Sequence, residues 1–314
     1  MARVAIVTDS NSGISVEEGK QLGVPIVPMP VDIDGEVFYE GENLTQEMFY
    51  ERLLAGADIG TSQPAPGDIM SLWDKVLEQC DELVYIPMSA GLSNSCSTAR
   101  GLAQEYGGRV QVADNRRISV TQRHSVMDAL AMAAEGMNAA GIRRKLEEQA
   151  DDSTIFITVD TLKYLKKGGR VSGVEAVAGT MLNIKPVMEI RSEKLNAVAK
   201  VRGMKAARKL MIEKVREDVE TRLKPLWDSG HLAIKLAYSQ ISDELLEEWR
   251  EEILAAFPEV TEVTGEPLTL SIALSKGKTA EELETLGLFF SVLGDSLALL
   301  ALRAPSEDCK NGTV

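Results

Sequence analysis

The chain has 314 residues, 44% of them hydrophobic and 26% charged, which provides for a large core and is long for a single domain. Its formal net charge of −14 and aromatic share of 5% argue against nucleic acid as a partner, because acidic surfaces repel phosphate and few rings are left for stacking. Three cysteines with no Cys-x-x-Cys spacing point to a reducing compartment rather than a structural zinc site, and no apolar run reaches the roughly 18 residues that a membrane span needs.

Val4-Ala5-Ile6-Val7 is a β-branched run ending in Thr8-Asp9-Ser10, the pattern of a buried parallel strand feeding a loop. Only Met1-Ala2-Arg3 precedes it, too little for the apolar core of a signal peptide, so a soluble, cytoplasmic chain is expected. Residues 24–31 are extended but interrupted by Pro25, Pro28 and Pro30, which argues against a central paired strand there. Residues 32–37 read as a hairpin turning at Asp34-Gly35. Helices are expected over 47–54, 67–79, 97–106, 126–140 and 142–149, and buried strands over 83–88 and 109–113. This alternation predicts a layered α/β domain over 1–157, with ligands at the carboxyl ends of its strands. Asp9-Ser10, Thr61-Ser62, residues 89–95 and Asp114-Asn115 would converge there.

A second α/β domain is expected over 158–303, followed by a flexible tail over 304–314. The second half of the chain has strands over 154–159, 187–190, 195–201 and 232–238, with a turn at 191–194. Met204, Ala207, Leu210, Met211, Val215 and Val219 form one stripe of a helix over 204–223. Further helices are expected over 244–257 and 279–286.

Gly60-Thr61-Ser62-Gln63-Pro64-Ala65-Pro66-Gly67 sets two hydroxyls beside rigid prolines, suited to holding a carboxylate or phosphate. On its own it reads more readily as a helix entry, with Pro66 opening the helix and Thr or Ser capping it. Ser89-Ala90-Gly91-Leu92-Ser93-Asn94-Ser95 would turn helix-terminal amides toward an anion. It nearly spells the Gly-x-Ser-x-Gly nucleophile elbow, but Ser95 takes the last glycine position and only His124 and His231 exist to serve as base. A serine acyl hydrolase with Ser93 as nucleophile therefore stays an alternative, not the leading reading. Lys276-Gly277-Lys278-Thr279 fails as a P-loop because position 272 is Ile, and Asp32-x-Asp34-Gly35 fails as a calcium loop. Neither a metal nor a cofactor is called for. Between Lys163 and Lys209, twelve Lys or Arg face only three acids, a basic island in an acidic chain. Gly168-Gly169-Arg170 within it exposes an arginine fit for a bidentate hold on an anion, and Arg202 lies further along.

Taken in order, several segments resemble the DegV family of bacterial fatty-acid-binding proteins: Val7-Thr8-Asp9-Ser10, Thr61-Ser62-Gln63-Pro64, residues 89–93, Val159-Asp160-Thr161-Leu162, Lys167-Gly168-Gly169-Arg170-Val171-Ser172, Leu182-Asn183-Ile184-Lys185-Pro186 and Lys200-Val201-Arg202. The resemblance implies a two-domain DegV-like α/β fold with one long-chain fatty acid between the domains and no membrane span. It implies that Thr61, Ser62 and Ser93 hold the carboxylate, with Asn94 beside them as a further ligand-binding candidate. Where such proteins serve a fatty acid kinase, the carrier is not itself an enzyme. A separate catalytic subunit makes the acyl phosphate, and Arg170 and Arg202 would serve docking or transfer. The chain departs from the family pattern near its C-terminus, where Gly265 to Leu274 replace a Gly-rich, His-containing loop. A diverged regulatory protein with another ligand is a further alternative.

Overall fold

The computed structural model describes residues 2–159, 171–172, 183–191, 194–239, 241–267 and 296–303. Arg170, the glycine pair before it, the predicted helix over 279–286 and the tail over 304–314 lie outside these residues.

Near-continuous apolar runs build a four-stranded parallel sheet, as strands covered on both faces require. Its order is β2 (Ile26–Val27), β1 (Val4–Asp9), β6 (Glu82–Ile86) and β7 (Val110–Val112). Alternate residues serve opposite faces. Ile6, Val84 and Ile86 pack with Val126, Ala129, Ile142 and Leu146, from α5 (Ser119–Ala134) and α6 (Ala139–Glu148). Val7, Leu83 and Tyr85 pack with Ile69, Trp73, Cys96 and Ala99, from α3 (Pro66–Leu77) and α4 (Ser95–Ala103). Because these strands are parallel, their carboxyl ends share one edge.

Helix α1 (Val16–Leu22) returns the chain to β2, and Gly19 allows the close approach. A Cβ at this position would lie 2.5 Å from the Val24 carbonyl oxygen and 2.7 Å from Ile26 Cγ1. Backbone cannot move aside as a flexible side chain would. Gly19→Ala is therefore expected to destabilise the fold by about 1–3 kcal/mol, read as a lower urea midpoint with an unchanged slope.

A three-stranded antiparallel sheet follows, ordered β4 (Glu36–Tyr39), β3 (Pro30–Ile33) and β5 (Ile59–Thr61), and packed on α2 (Gln46–Leu54). The Asp34-Gly35 turn is observed, both residues having positive φ (55° and 87°) as a two-residue hairpin requires. The prolines do not exclude a central strand, contrary to expectation. Pro30 is the first residue of β3, where its missing N–H removes only an end bond of the ladder, and β3 is the middle strand. Strand β5 was not foreseen.

Among the described residues that follow, seven strands form a mixed sheet of order β13 (Thr264–Pro267), β12 (Leu232–Ser239), β14 (Ser296–Arg303), β8 (Ser153–Thr158), β10 (Ile184–Arg191), β11 (Lys194–Arg202) and β9 (Val171–Ser172). One face is covered by the helices Met204–Glu220 and Asp243–Ala256, through Ala207, Met211, Val215, Trp249 and Ile253 against Phe156, Ile234 and Leu236. The opposite face meets the first half of the chain. We retain a two-domain division as a proposal and place its boundary ahead of Ser153, because β8 pairs with β10 and β14 of this sheet.

Helix α5 begins seven residues before its predicted start. Ser119, Val120, Thr121 and Gln122 are polar or β-branched and suggest a loop, yet all four are buried. Ser119 enters the helix with a φ of 55°, a strained conformation between Ile118 and Val120, which both pack against the large sheet. Among the described residues no helix is long and apolar enough to cross a membrane.

Candidate functional site

The carboxyl edge of the parallel sheet gathers the polar loops that the sequence singles out. The segment following β6 is Ser89 to Asn94, leading into α4. Ser89 N donates to the Arg117 carbonyl at 2.9 Å, and Leu92 N and Ser93 N donate to the Ser89 carbonyl at 3.0 and 3.2 Å. Ala90 N donates to Asp114 Oδ1 at 3.2 Å, which ties in the loop after β7. Ser93 Oγ accepts from Ser95 N at 3.1 Å, so the hydroxyl sits at the start of α4, where helix amides lack intrahelical partners. Ser93 is half-buried, whereas Asn94 is exposed and caps nothing with its side chain. Ser95, which sequence reasoning did not select, is fully buried, and its Oγ has no hydrogen-bond partner among the described residues. Its place as the third serine of the loop is the one signal that pointed to it.

Thr61 ends β5, and Ser62 continues the strand by donating its N–H to the Pro30 carbonyl at 3.3 Å. The helix-entry reading holds only in part. Pro66 opens α3, but the residue before it is Ala65 and no side chain caps the helix. The chain is still extended at Thr61 and Ser62, so their hydroxyls are not used as caps. Thr98 Oγ1 of α4 donates to Gln63 Oε1 at 3.1 Å, which brings the Thr61-Ser62 segment alongside the helix that Ser93 leads into.

Beneath this edge lies an aliphatic layer. Met88 and Leu92 of the Ser93 loop and Ile118 and Val120 at the entry to α5 pack against Ile155, Ile157, Met188, Ile190, Leu195 and Ala237 of the large sheet. The layer joins the two halves of the chain and is continuous with the loop that carries Ser93. A hydroxyl-lined rim above an apolar floor suits an amphiphile with an anionic head.

Asp9 is buried directly behind the rim. Its Oδ2 accepts from Met88 N at 3.0 Å, and its Oδ1 accepts from Asn11 N at 3.1 Å and Gln122 Nε2 at 2.9 Å. Burial raises its pKa to about 6 against these stabilising donors. Gln122 also reaches Thr8 Oγ1 and the Ile86 carbonyl, which makes it an organiser of the strand ends that sequence reasoning missed. Nothing in the helical pattern distinguishes a buried Gln from a solvated one.

Neither histidine is hydrogen-bonded to Ser93 among the described residues. His231 is exposed and lies 2.9 Å from Ser229 Oγ. His124 is buried on α5, and its pKa is pushed down to about 3 by burial first and then by Lys235, Arg117 and Arg123. Among the described residues no cluster of three or more His, Cys, Asp or Glu forms a metal site.

The basic island is partly neutralised by acids later in the chain. Arg191 pairs with Asp218 at 2.8 Å, and buried Arg208 pairs with Glu248 and Glu252 at 2.6 and 3.0 Å while stacking over Trp249. Arg202, at the end of β11 opposite Ile184, is exposed, as are Lys200 and Lys205.

The model of the DegV family, described as "Uncharacterised protein, DegV family", matches residues 3–280. A DegV domain-containing protein of Deinococcus radiodurans is 36% identical over 217 residues, 69% of this chain and 77% of that protein. One from Listeria monocytogenes is 30% identical over 264 residues, 82% of this chain and 90% of its own. Among solved structures, a fatty-acid-binding DegV family protein from Thermus thermophilus aligns with a TM-score of 0.78 at 28% identity, covering 96% of this chain and 99% of the other. A fatty acid binding DegV family protein from Streptococcus agalactiae aligns with a TM-score of 0.77 at 26% identity, covering 96% and 99%.

Proposed function

The chain belongs to the DegV family, and from that premise we propose that it is a cytoplasmic, non-enzymatic carrier that buries a long-chain fatty acid between its two halves. The observation that carries this reading is the aliphatic layer running from Met88 and Leu92 to the large sheet, directly under the hydroxyl rim. Solved DegV proteins described as fatty-acid-binding share the fold over nearly the whole chain and support it. Burying roughly a dozen methylenes at about 0.8 kcal/mol each provides about 10 kcal/mol before ordering costs. Thr61, Ser62 and Ser93, with Asn94 at the rim, orient the carboxylate. Mass spectrometry of an organic extract of the purified, folded protein tests the reading. A fatty acid at about one equivalent is expected, and titration with added fatty acid that shows no binding would overturn it.

In this reading the carboxylate is presented to a separate kinase subunit that phosphorylates it, with Arg170 and Arg202 serving docking or transfer. The exposure of Arg202 at a strand end supports an intermolecular role. Arg202→Ala and Arg170→Ala are expected to leave fatty acid affinity unchanged and to slow acyl phosphate formation by the cognate kinase about tenfold or more, as the loss of one charged contact would. An unchanged rate in both variants removes the docking role.

A further inference from the structure

Asp9 and Ser10 lie outside the proposed carboxylate grip, yet both of its loops hang from them. On one side, Asp9 Oδ2 accepts from Met88 N at 3.0 Å, and Met88 immediately precedes the Ser89 to Asn94 loop that carries Ser93. On the other side, Ser10 Oγ accepts from Met29 N at 3.1 Å and donates to Glu40 Oε2 at 3.1 Å. Met29 immediately precedes Pro30, the first residue of β3. The Pro30 carbonyl accepts from Ser62 N, and Val31 is in register with Thr61. The anchors are adjacent residues, about 3.8 Å apart along the backbone, and both are buried. The carboxylate of Asp9 is itself fixed from behind by Asn11 N and Gln122 Nε2, so this end of the strand has little freedom.

We infer that Asp9 and Ser10 are positioning residues that fix the Ser93 loop and the Thr61-Ser62 strand end relative to each other, and thereby set the preference of the site for a carboxylate over an uncharged head group. The inference rests on the reading that these hydroxyls hold a fatty acid carboxylate. An apolar tail is held by area and tolerates small displacements, whereas hydrogen bonds weaken steeply with distance and angle. Misplacing the loops therefore costs the head group more than the tail. Asp9→Asn replaces one acceptor oxygen with an amide donor facing a backbone or side-chain N–H. Ser10→Ala removes the acceptor for Met29 N and the donor to Glu40 without adding bulk.

The test compares palmitic acid with 1-hexadecanol, titrated into wild-type, Asp9→Asn, Ser10→Ala and Ser10→Thr proteins. The expected result is that Asp9→Asn and Ser10→Ala keep wild-type affinity for the alcohol within about twofold and lose about tenfold or more of the preference for the acid, with Ser10→Thr restoring it. Unchanged acid preference in both variants overturns the inference, as does equal weakening of acid and alcohol, which marks a purely structural role. If Asp9→Asn fails to fold, Ser10→Ala decides alone. A wild-type protein that binds neither ligand overturns the functional reading itself and the inference with it.

Discussion

The Thr61→Ala, Ser93→Ala double variant is expected to bind a long-chain fatty acid about a hundredfold more weakly than the wild type, with little loss of stability. A hydrogen bond to a charged group contributes about 1.5–3 kcal/mol, so losing two removes about 3 kcal/mol even at the low end, and each 1.4 kcal/mol is tenfold in affinity. The folded state depends far less on these hydroxyls. Both residues are half-buried, and among the described residues the backbone partner of these hydroxyls is Ser95 N, held by Ser93 Oγ at 3.1 Å. Losing that contact resembles losing a helix cap and costs about 1 kcal/mol. Calorimetric titration with oleic acid, alongside thermal melts, checks both halves of the expectation. Wild-type affinity in a folded double variant would remove Thr61 and Ser93 from the carboxylate grip. Equal weakening toward 1-hexadecanol, titrated alongside, would place the defect in the tail layer instead.

Much of the parallel sheet was legible because its strands are short β-branched runs buried on both faces, a pattern that survives any tertiary context. The hairpin at Asp34-Gly35 was equally legible, since few residue pairs accept two positive φ values. The convergence of Asp9, Ser89 and Asp114 followed from parallel strand order alone. Three features resisted. Pro30 reads as a strand breaker, but a proline at a strand's first position leaves the rest of the ladder intact, and only the partners β4 and β5 reveal β3 as the central strand. The true start of α5 was hidden because Ser119, Thr121 and Gln122 are polar yet buried, Thr121 closing the helix start on Ile118 and Gln122 reaching across to the strand ends. The charge count from Lys163 to Lys209 overstated the exposed basic surface, because Asp218, Glu248 and Glu252 that neutralise Arg191 and Arg208 lie later in the chain. Each miss has the same origin: the deciding partner is remote in sequence.

Acid stability supplies the second large effect, and it sets two buried groups against each other. His124 titrates near 6.5 when unfolded and at about 3 in the fold, where burial and then the charges of Lys235, Arg117 and Arg123 oppose its protonation. The unfolded chain therefore takes up the proton first, and stability is lost as pH falls from about 6.5 toward 3, by about 2 kcal/mol at pH 5. Asp9 acts in the opposite direction. Its carboxyl is at 3.8 unfolded and about 6 folded, raised by burial, so the charged form weighs on the fold above about pH 6. That burden is relieved as pH falls from about 6 toward 3.8, by about 1 kcal/mol at pH 5. In the wild type the two partly offset between pH 7 and 5, with the His124 loss the larger. Asp9→Asn removes the relief and is expected to lose about 2 kcal/mol over that interval. His124→Gln removes the loss and is expected to gain about 1 kcal/mol as the pH drops. Urea unfolding at pH 7 and pH 5 measures both slopes, and the comparison within each variant cancels any fixed cost of the substitution. Parallel slopes in all three proteins would mean that neither group titrates between the folded and unfolded states as its surroundings dictate. The interval matters for the proposed binding site, because Asp9 holds the base of the Ser93 loop and His124 sits on the helix that covers the same strand ends.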